Sequence, residues 1–325
     1  MIKRIALPIL LLLAAMMLGM APGQAQSWPP KQVKIVVPFG TGSTPDSVAR
    51  MIKDGLDKQY PDSTFIVENK PGASGNTGTD VVAKAAPDGS TIGISIGGPL
   101  AINSLLFKNL PYDPQKDIAP VTQLITQPSA IAVNPSLNVN SVAELVALLK
   151  KNPGKYNFAS IGTGSLSHLA MEAVALKSGT KIVHVAYKSS PEAILAVIRG
   201  DAQMACMPAV SVYAQSKAGK VKMLAVTTAK RSTFLPDVPT LEESGIDVEA
   251  DAWMGLIAPG GTPKAMVDKI NHDVVAIIKT PAVRAKLATQ LMAPVGSSPE
   301  DFRARINGEF VRWSAVIRAA NIKAR

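Results

Sequence analysis

Residues 33–45 read VKIVVPFGTGSTP, and this stretch decides the fold class. Its first five residues are apolar apart from Lys34 and rich in valine, which is the composition of a buried β-strand. Glycine, threonine and serine follow Phe39, and Pro45 then stands where the first turn of a helix tolerates proline. The stretch therefore predicts a strand that runs through a glycine-rich loop into a helix.

The same succession of strand, loop and helix start occurs four times in the chain. Short apolar runs that alternate with helical patterns predict an α/β protein with largely parallel sheets. A length of 325 residues is typical of two domains. The predicted strands are 33–37, 65–67, 91–96, 131–133, 157–160, 182–186 and 223–227.

Helix starts are marked by serine or threonine before proline, at Thr44, Ser190, Thr262, Thr280 and Ser298. In each pair the hydroxyl can cap the helix, and proline suits the first helical position. Ser141 and Glu144 predict a capping box. Apolar residues repeat at helical spacing over 266–277 and 302–317, so we expect both stripes to face the core.

The N-terminus has the layout of a secretory signal peptide. Lys3 and Arg4 precede an apolar run over 5–20, and small and polar residues follow around Ala25. The run is shorter than the roughly 20 residues that a membrane helix needs, which disfavours the alternative of an uncleaved anchor. We therefore interpret residues 1–25 as a cleaved signal peptide and expect the remaining chain in the periplasm.

The charge and composition exclude some partners. The formal net charge of +10 is spread along the chain, and aromatic residues make up 5% of it, too few for base-stacking surfaces. We expect mild attraction for anions and no nucleic-acid partner. The one cysteine, Cys206, lies in an apolar run and is interpreted as a small buried side chain.

The loops after four predicted strands favour an anion. They span 39–44, 97–99, 161–165 and 187–190, and a further glycine-rich segment covers 71–76. In a parallel α/β sheet such loops gather at one edge. We expect unpaired N–H groups and the positive ends of helix dipoles there, which suit a carboxylate without an arginine.

The sequence lacks the motifs of a phosphate-binding loop, a dinucleotide site and a metal site. There is no Gly-Lys-Ser/Thr for a phosphate loop, and Pro45 and Ser167 replace the third glycine of two possible dinucleotide fingerprints. His168, His184 and His272 are far apart in the sequence without ligand spacing, so we expect no metal and no cofactor. His168 falls in a first helical turn, where it is either close to a bound anion or a core imidazole with satisfied hydrogen bonds.

An enzymatic alternative rests on residues 93–97, which read GISIG and match the G-x-S-x-G pattern of α/β-hydrolases. That pattern places its serine on a sharp turn, whereas Ser95 falls inside a predicted strand that turns only at Gly97. A secreted serine hydrolase that uses Ser95 therefore remains the second hypothesis, and a binding protein without enzymatic activity the first.

The chain also resembles the Bug family, the periplasmic solute-binding receptors associated with tripartite tricarboxylate transporters. The resemblance runs over nearly the whole mature chain. It is carried by residues 28–29 (WP), 35–39 (IVVPF), 67–76 (VENKPGASGN), 86–89 (APDG), 159–165 (ASIGTGS) with His168, 185–188 (VAYK), 235–240 (LPDVPT) and 253–256 (WMGL).

The resemblance implies a two-lobed periplasmic binding protein fold of type II-like architecture, with the ligand in the interdomain cleft. Residues 26–125 and 252–325 would form lobe 1, and 126–251 lobe 2, with crossings near 123–130 and 249–258. It implies a small carboxylate as ligand, the permease of a tripartite tricarboxylate transporter as partner, and a monomer. Dicarboxylates, citrate-like, nicotinate-like and aromatic acids stay open, as does a sensor instead of a permease.

The loops and the resemblance together predict a set of ligand-binding residues. They are Phe39, Gly40, Thr41, Ser43, Asn76, Gly97, Gly98, Ser160, Thr163, Gly164, Ser165, His168, Tyr187 and Met207. Ser43 and Ser189 depart from glycines common in the family, and Met207 stands where many relatives have an acidic residue. Met207 therefore favours an apolar or aromatic ligand body over an amino group.

Overall fold

The computed structural model describes residues 28–187 and 189–322, and it contains two β-sheets flanked by helices. The predicted signal peptide, 1–25, lies outside the described residues. The first sheet is formed by β1 (Gln32–Val37), β2 (Thr64–Asn69), β3 (Thr91–Ile96), β4 (Ile118–Gln127), β10 (Ala252–Pro259) and β11 (Ala293–Pro294). The second is formed by β5 (Ser129–Val133), β6 (Asn157–Ser160), β7 (Val183–Ala186), β8 (Met204–Pro208) and β9 (Lys222–Val226).

The α-helices lie between and after these strands. They are α1 (Thr44–Gln59), α2 (Asn76–Ala83), α3 (Asn103–Leu106), α4 (Val142–Lys151), α5 (Leu166–Ser178), α6 (Ser190–Arg199), α7 (Ala209–Lys217), α8 (Lys264–Ile278), α9 (Pro281–Ala288) and α10 (Pro299–Ala319). A π-helix, Gly98–Ile102, precedes α3, and 3₁₀ turns occupy Ala73–Gly75 and Pro135–Leu137. No helix in the described part of the chain is long and apolar enough to span a membrane.

Strand order gives an α/β fold with mixed sheets. The first sheet runs β11-β4-β10-β3-β1-β2 and the second β7-β6-β8-β5-β9. The strands that precede the glycine-rich loops pair in parallel, β1 with β2 and β3, and β6 with β7 and β8. The strands at the crossings, β4, β5 and β10, pair antiparallel. The expectation of largely parallel sheets was therefore wrong, because among the described strands three of the five pairings in the first sheet and two of the four in the second are antiparallel.

The chain passes between the sheets twice. It leaves the first sheet at Gln127 and enters the second at Ser129. It returns through Ala250, which exchanges hydrogen bonds with Thr227, into β10, where Ala252 pairs with Gln127. The two crossings therefore lie side by side.

Helix α10 contacts both halves of the molecule. Phe302 and Ile306 pack in a core cluster of the first sheet, while Trp313 and Ile317 pack in the main core cluster of the second. The stripe over 302–317 is thus buried as predicted, but its C-terminal half covers the second sheet.

The predicted strands 91–96 and 157–160 agree with β3 and β6 to the residue, and the others agree within a few residues. The strands β4, β8, β10 and β11 were not predicted. Thr280, Ser298 and Ser141 cap their helices as expected. Two predicted caps were one residue late, because Ser43 and Ser189 accept the capping hydrogen bonds instead of Thr44 and Ser190.

One helix start was predicted one residue early. Pro263, which follows the predicted cap Thr262, is itself the residue before α8. Thr262 Oγ1 is buried and has no hydrogen-bond partner among the described residues. Cys206 is buried in the core of the second sheet, as its apolar neighbours indicated.

Candidate ligand-binding site

The loop after β1 is held in place by the buried carboxylate of Asp46. The Gly42 N–H donates to Asp46 Oδ2 at 2.9 Å, and Asn69 Nδ2 donates to Asp46 Oδ1 at 3.0 Å. Asn69 Nδ2 also donates to the Phe39 carbonyl at 2.9 Å. Burial alone raises the pKa of Asp46, but hydrogen bonds from Arg50, Gly42 and Asn69 lower it below its ordinary value. Asp46 therefore stays ionised and fixes the 39–43 loop from beneath.

Predicted site residues on this loop lie at its outer side. Gly40 and Thr41 are exposed, and Phe39 and Ser43 are partly buried. The Ser43 N–H donates to the Gly40 carbonyl at 3.1 Å, and Thr41 Oγ1 donates to Asn69 Oδ1 at 3.2 Å. The loop is therefore a tight turn whose two hydroxyl groups already make hydrogen bonds, Thr41 Oγ1 to Asn69 and Ser43 Oγ from the Asp46 N–H.

Three loops of the first sheet touch one another around Gly75. A Cβ atom at Gly75 would lie 2.9 Å from Pro99 Cγ and 3.1 Å from Phe39 Cζ. Gly75 also has φ of +92°, in the left-handed region that glycine adopts without strain. A side chain at this position would push the 71–76, 97–99 and 39–43 segments apart.

A buried amide network supports two of these loops. Asn103 Nδ2 donates to Asn76 Oδ1 at 2.6 Å, and the Tyr112 hydroxyl donates to the same oxygen at 3.2 Å and to the Pro99 carbonyl at 2.9 Å. Asn76 is 3% exposed, so it acts here as a structural acceptor. Gly97 and Gly98 are partly buried, and Gly97 approaches the Trp253 ring.

The 160–165 loop is closed by its own side chains. The Ile161 N–H donates to Ser167 Oγ at 3.1 Å, and the Gly162 N–H donates to Ser160 Oγ at 3.1 Å. The Ser165 N–H donates to the Gly162 carbonyl at 3.2 Å. The expectation of unpaired N–H groups was therefore wrong for these three positions, because serine hydroxyls and a carbonyl already accept from them.

His168 and His184 form a pair beneath this loop. The Gly164 N–H donates to His168 Nδ1 at 3.0 Å, and His168 Nε2 lies 3.6 Å from Glu172 Oε1. The two imidazole rings stack with centroids 3.8 Å apart, and Ser160 Oγ hydrogen-bonds to His184 Nε2 at 2.5 Å. The interpretation of the histidines as separate residues was wrong for this pair, because β7 returns beside β6 under α5.

Elements on either side of the molecule meet at Gly164. A Cβ atom there would lie 2.2 Å from Leu106 Cδ1, and Gly164 has φ of +79°. Leu106 belongs to α3, which follows the 97–99 loop, and it packs in the core cluster of the second sheet. The 160–165 loop therefore contacts α3, the helix that follows the 97–99 loop and the π-helix of the first half of the chain.

The remaining predicted residues lie in or next to the 160–165 loop, except Met207, which lies in β8. Ser160 and His168 are buried, and Thr163 and Ser165 are partly buried. The Tyr187 N–H donates to the Ser160 carbonyl at 2.8 Å, which brings the 187–190 segment next to this loop. Met207 is fully buried in a core cluster with small neighbours such as Ala130. Residue 188 lies outside the described residues.

Three helices of substantial length begin at these loops. Ser43 caps α1, which has 16 residues, Ser165 caps α5, which has 13, and Ser189 caps α6, which has 10. The N-terminus of a helix carries partial positive charge that favours an anion nearby. Asp46, the acidic side chain in the first turn of α1, already accepts the hydrogen bonds from Gly42 and Asn69 described above.

The geometry of Ser95 does not match that of a hydrolase nucleophile. Ser95 lies within β3, its side chain is buried, and its hydroxyl is 2.9 Å from Thr79 Oγ1. Because β3 continues to Ile96, the sharp turn of a nucleophile elbow is missing at this serine. Among the described residues no cluster of three His, Cys, Asp or Glu side chains could hold a metal ion.

The sequence did not indicate five of the residues that shape this region: Asp46, Asn69, Asn103, Tyr112 and His184. The first two lie inside conspicuous motifs, next to the glycine-rich loops, and a search for polar residues at strand ends could have found them. Asn103 and Tyr112 give no local signal, because their partners are far away in the chain.

Comparison with known proteins gives a consistent result. Residues 48–322 match the family model described as the tripartite tricarboxylate transporter family receptor. The chain is 33% identical over 307 residues to protein BugT of Bordetella pertussis, covering 93% of both chains.

Solved structures agree with this match. A Rhodopseudomonas palustris protein with adipate, Rpa4515, has a TM-score of 0.81 and 33% identity, with 92% of this chain and 100% of that chain covered. MatC of Rhodopseudomonas palustris with bound malate has a TM-score of 0.76 and 29% identity, with 89% and 100% covered.

Proposed function

The chain belongs to the tripartite tricarboxylate transporter receptor family, and from this premise we propose that it binds a small carboxylate between its two sheets and releases it unchanged. The family match confirms the resemblance to the Bug receptors. The proposal goes further in naming the ligand class and the place where the ligand lies.

The observation that carries the proposal is the contact between Gly164, in the loop from which α5 begins, and Leu106 of α3. The N-termini of α5 and of α6, which the hydrogen bond from the Tyr187 N–H to the Ser160 carbonyl brings next to the same loop, carry partial positive charge that favours a carboxylate there. The adipate and malate in two similar structures support a dicarboxylate. We expect contacts from the 39–43, 97–98 and 160–165 loops, with Tyr187 nearby.

We further propose that residues 26–125 with 252–325, and residues 126–251, act as two lobes that close over the ligand by a hinge motion. The adjacent crossings at Gln127 and Ala250 support this division, because neighbouring segments join the two sheets there. Helix α10, which packs against both cores, is a third link that would have to bend or slide on closure. The C-terminal part of α10 would then move with the second lobe.

Thermal unfolding of the mature chain against adipate, malate and their diamides tests the ligand class. A ligand at about a hundred times its dissociation constant stabilises the folded state by about 2.7 kcal/mol. We expect a dicarboxylate to raise the midpoint and the diamide of equal length to leave it unchanged. Equal shifts from acid and amide, or no shift across a wide range of carboxylates, would contradict the proposal.

A periplasmic location and delivery to a membrane permease complete the proposal. The family name supports a permease partner, and the charged, apolar and small-residue layout of 1–25 supports export. Mass spectrometry of the protein from a periplasmic extract would give the first mature residue, which we expect to be Gln26. Retention of the full chain in the membrane fraction would contradict this part.

A further inference from the structure

The edge of the second sheet that lies away from the candidate site forms one continuous row. The beginnings of β6, β7, β8 and β9 pair there with one another or with the end of β5, from Val183 through Asn157 and Met204 to Lys222. Four strand spacings of about 4.8 Å give the row a width of roughly 19 Å. The 161–165 and 187–190 loops follow the opposite ends of β6 and β7, so this edge is remote from them.

Lysines are concentrated along this edge, and we call the surface that they form the lysine face. It is defined by Lys155, Lys181, Lys220 and Lys222. The Gly154 N–H donates to the Lys181 carbonyl at 2.9 Å, which holds the segments before β6 and β7 together. Lys155, Lys181 and Lys220 are exposed, and Lys222 is partly buried. Among the described residues, no ion pair joins these four lysines to a carboxylate.

The helices that end at this edge add further positive charge. Basic residues occupy the last turns of α4, α5, α6 and α7, and they are Lys150, Lys151, Lys177, Arg199 and Lys217. Such residues offset the negative end of a helix dipole, so by themselves they do not indicate a partner. The four residues of the lysine face lie in loops or at the start of a strand, so helix stabilisation does not account for them.

Acidic side chains offset only part of this charge. In the described part of the chain, those at this edge are Glu144, Asp201 and Asp247. Asp247 Oδ2 lies 2.7 Å from Lys177 Nζ, and Glu144 Oε2 accepts from the Asn140 N–H at 2.7 Å. Asp201 is exposed next to Gly200. The edge therefore keeps an excess of positive charge over its whole width.

Two large apolar side chains stand among the lysines. Leu176 and Val183 are each 44% exposed, the first in the last turn of α5 and the second at the start of the edge strand β7. Apolar side chains beside basic ones suit the boundary between lipid headgroups and acyl chains. Lysine is a compact charge on a flexible stem, which attracts many phosphates rather than one in a fixed geometry. A broad edge of this kind fits a lipid surface better than a single acidic peptide.

We propose that the lysine face docks the protein on the anionic phospholipid headgroups of a membrane. The attraction falls off within a Debye length, so the exposed lysines of this edge contribute most. Docking through this edge leaves the loops of the candidate site clear of the membrane, because they lie at the opposite edge of the same sheet. The proposal does not depend on the ligand, so it stands or fails independently of carboxylate binding.

Co-flotation with phospholipid vesicles tests the proposal on protein purified from a periplasmic extract. Vesicles of phosphatidylcholine alone are compared with vesicles that also contain phosphatidylglycerol, at about 0.15 M ionic strength and at higher salt. The test variant combines Lys155→Gln, Lys181→Gln and Lys220→Gln. The control variant removes the same charge at exposed lysines before β1, in α1 and in α9, and combines Lys31→Gln, Lys58→Gln and Lys286→Gln.

We expect the wild type and the control variant to bind only the vesicles with phosphatidylglycerol, and more weakly as salt rises. The test variant should bind about a hundredfold more weakly, because each lysine near an anionic surface contributes about fivefold. Equal binding by the two variants, equal binding to both kinds of vesicle, or no binding by the wild type would overturn the proposal. In the last case, cross-linking of Lys181 to an acidic protein would identify a protein partner instead.

A fluorescent label tests the orientation without removing a lysine. Cys206 is buried and its thiol pKa is raised to about 12, so it does not compete for the label. Val183→Cys places an environment-sensitive dye on the lysine face, and Val81→Cys places it on α2, at a site that is 37% exposed. Vesicles with phosphatidylglycerol should shift the emission to the blue only for Val183→Cys. An equal shift for Val81→Cys, or no shift for Val183→Cys, would overturn the proposal.

Discussion

Asn103 Nδ2 donates to Asn76 Oδ1 at 2.6 Å, and both side chains are 3% exposed. This buried bond joins the start of α2, which directly follows the 71–76 segment, to the start of α3, which follows the π-helix after Gly97. The same oxygen accepts from the Tyr112 hydroxyl, which also reaches the Pro99 carbonyl. Asn76 therefore ties two loops together from within the core.

Asn76→Leu should destabilise the protein by about 1–3 kcal/mol, because it leaves the Asn103 amide buried without an acceptor. In the double variant Asn76→Leu/Asn103→Leu both polar partners are gone, so we expect it to be more stable than the single variant. Urea denaturation of both variants and of Asn103→Leu gives the free energies of unfolding, provided that their dependence on urea concentration has the same slope. A double variant that loses the sum of two single losses would show that the bond has no such role.

Asp46 gives a pH-dependent prediction. Burial raises its pKa, but the hydrogen bonds from Arg50, Gly42 and Asn69 prevail and lower it below the ordinary 3.8. The stabilisation is therefore fully present above pH 3.8 and is lost as the pH falls through the lower value of the folded state.

Asp46→Asn replaces one acceptor oxygen by a donor, so it should destabilise the wild-type fold at neutral pH and flatten the loss of stability in acid. Denaturation midpoints between about pH 2 and 7 measure both effects, because the loss lies below pH 3.8. Asp54→Asn, at an exposed site on the same helix, is the matched control. If Asp54→Asn flattened the acid limb as much as Asp46→Asn, the assignment to Asp46 would be wrong.

The elements that could be predicted are those that the local sequence pattern marks. The strands β1, β3 and β6 are apolar runs that end in glycine-rich loops, so both their composition and the glycines that follow mark them. The strands β4 and β10 carry proline or polar residues, and they are strands because they pair with each other across a long stretch of sequence. Local strand propensity does not indicate a pairing between distant segments, so the antiparallel strands of the mixed sheets were not predicted.

In the candidate site, too, the loops could be predicted from the local sequence, but the residues that hold them in place could not. Glycines and hydroxyls in the loops mark the edge where the helices begin, and Ser165 in one of these loops caps α5. What holds the loops cannot be found locally, since Asp46 binds Asn69 from the next strand, and His184 reaches His168 only after β7 has returned beside β6. Whether the predicted residues contact a ligand stays a prediction.

The charged cluster on α10 yields a third prediction. Glu309 is 3% exposed and accepts from Trp313 Nε1, with Arg305 Nη2 at 3.2 Å and Arg312 Nη1 at 3.3 Å. Arg305 also pairs with Asp251, next to the second crossing. The cluster therefore fastens α10 to the segment that joins the sheets.

Glu309→Leu should cost about 3 kcal/mol, the low end for breaking a buried ion pair, because Arg305 keeps Asp251 as a partner. Glu309→Gln retains an acceptor for Trp313 and should cost less. Guanidinium denaturation followed by tryptophan fluorescence measures the difference. Lys264→Ala, which breaks only exposed pairs, is the control and should leave the midpoint unchanged. Equal losses for leucine and glutamine would show that the hydrogen bond to Trp313 does not contribute.

Gly164 and Gly154 form a natural pair for the last prediction. Both have positive φ, +79° and +74°, so alanine is strained at either position. A Cβ atom at Gly164 would lie 2.2 Å from Leu106 Cδ1, whereas, apart from the chain neighbours, no atom of the described residues lies within 4 Å of one at Gly154. Both alanine variants should lose about 1 kcal/mol from backbone strain, and only Gly164→Ala should also displace the loop and weaken carboxylate binding.

The double variant Gly164→Ala/Leu106→Ala tests the contact directly. Removing the Leu106 side chain opens the space that the new Cβ needs, so binding should recover relative to Gly164→Ala, although the lost leucine lowers overall stability by about 2–5 kcal/mol. Calorimetric affinity and urea denaturation measured on the same samples separate the two effects. If Gly154→Ala weakened binding as much as Gly164→Ala, or if the double variant bound no better, the loop and Leu106 would not meet at the ligand site as described.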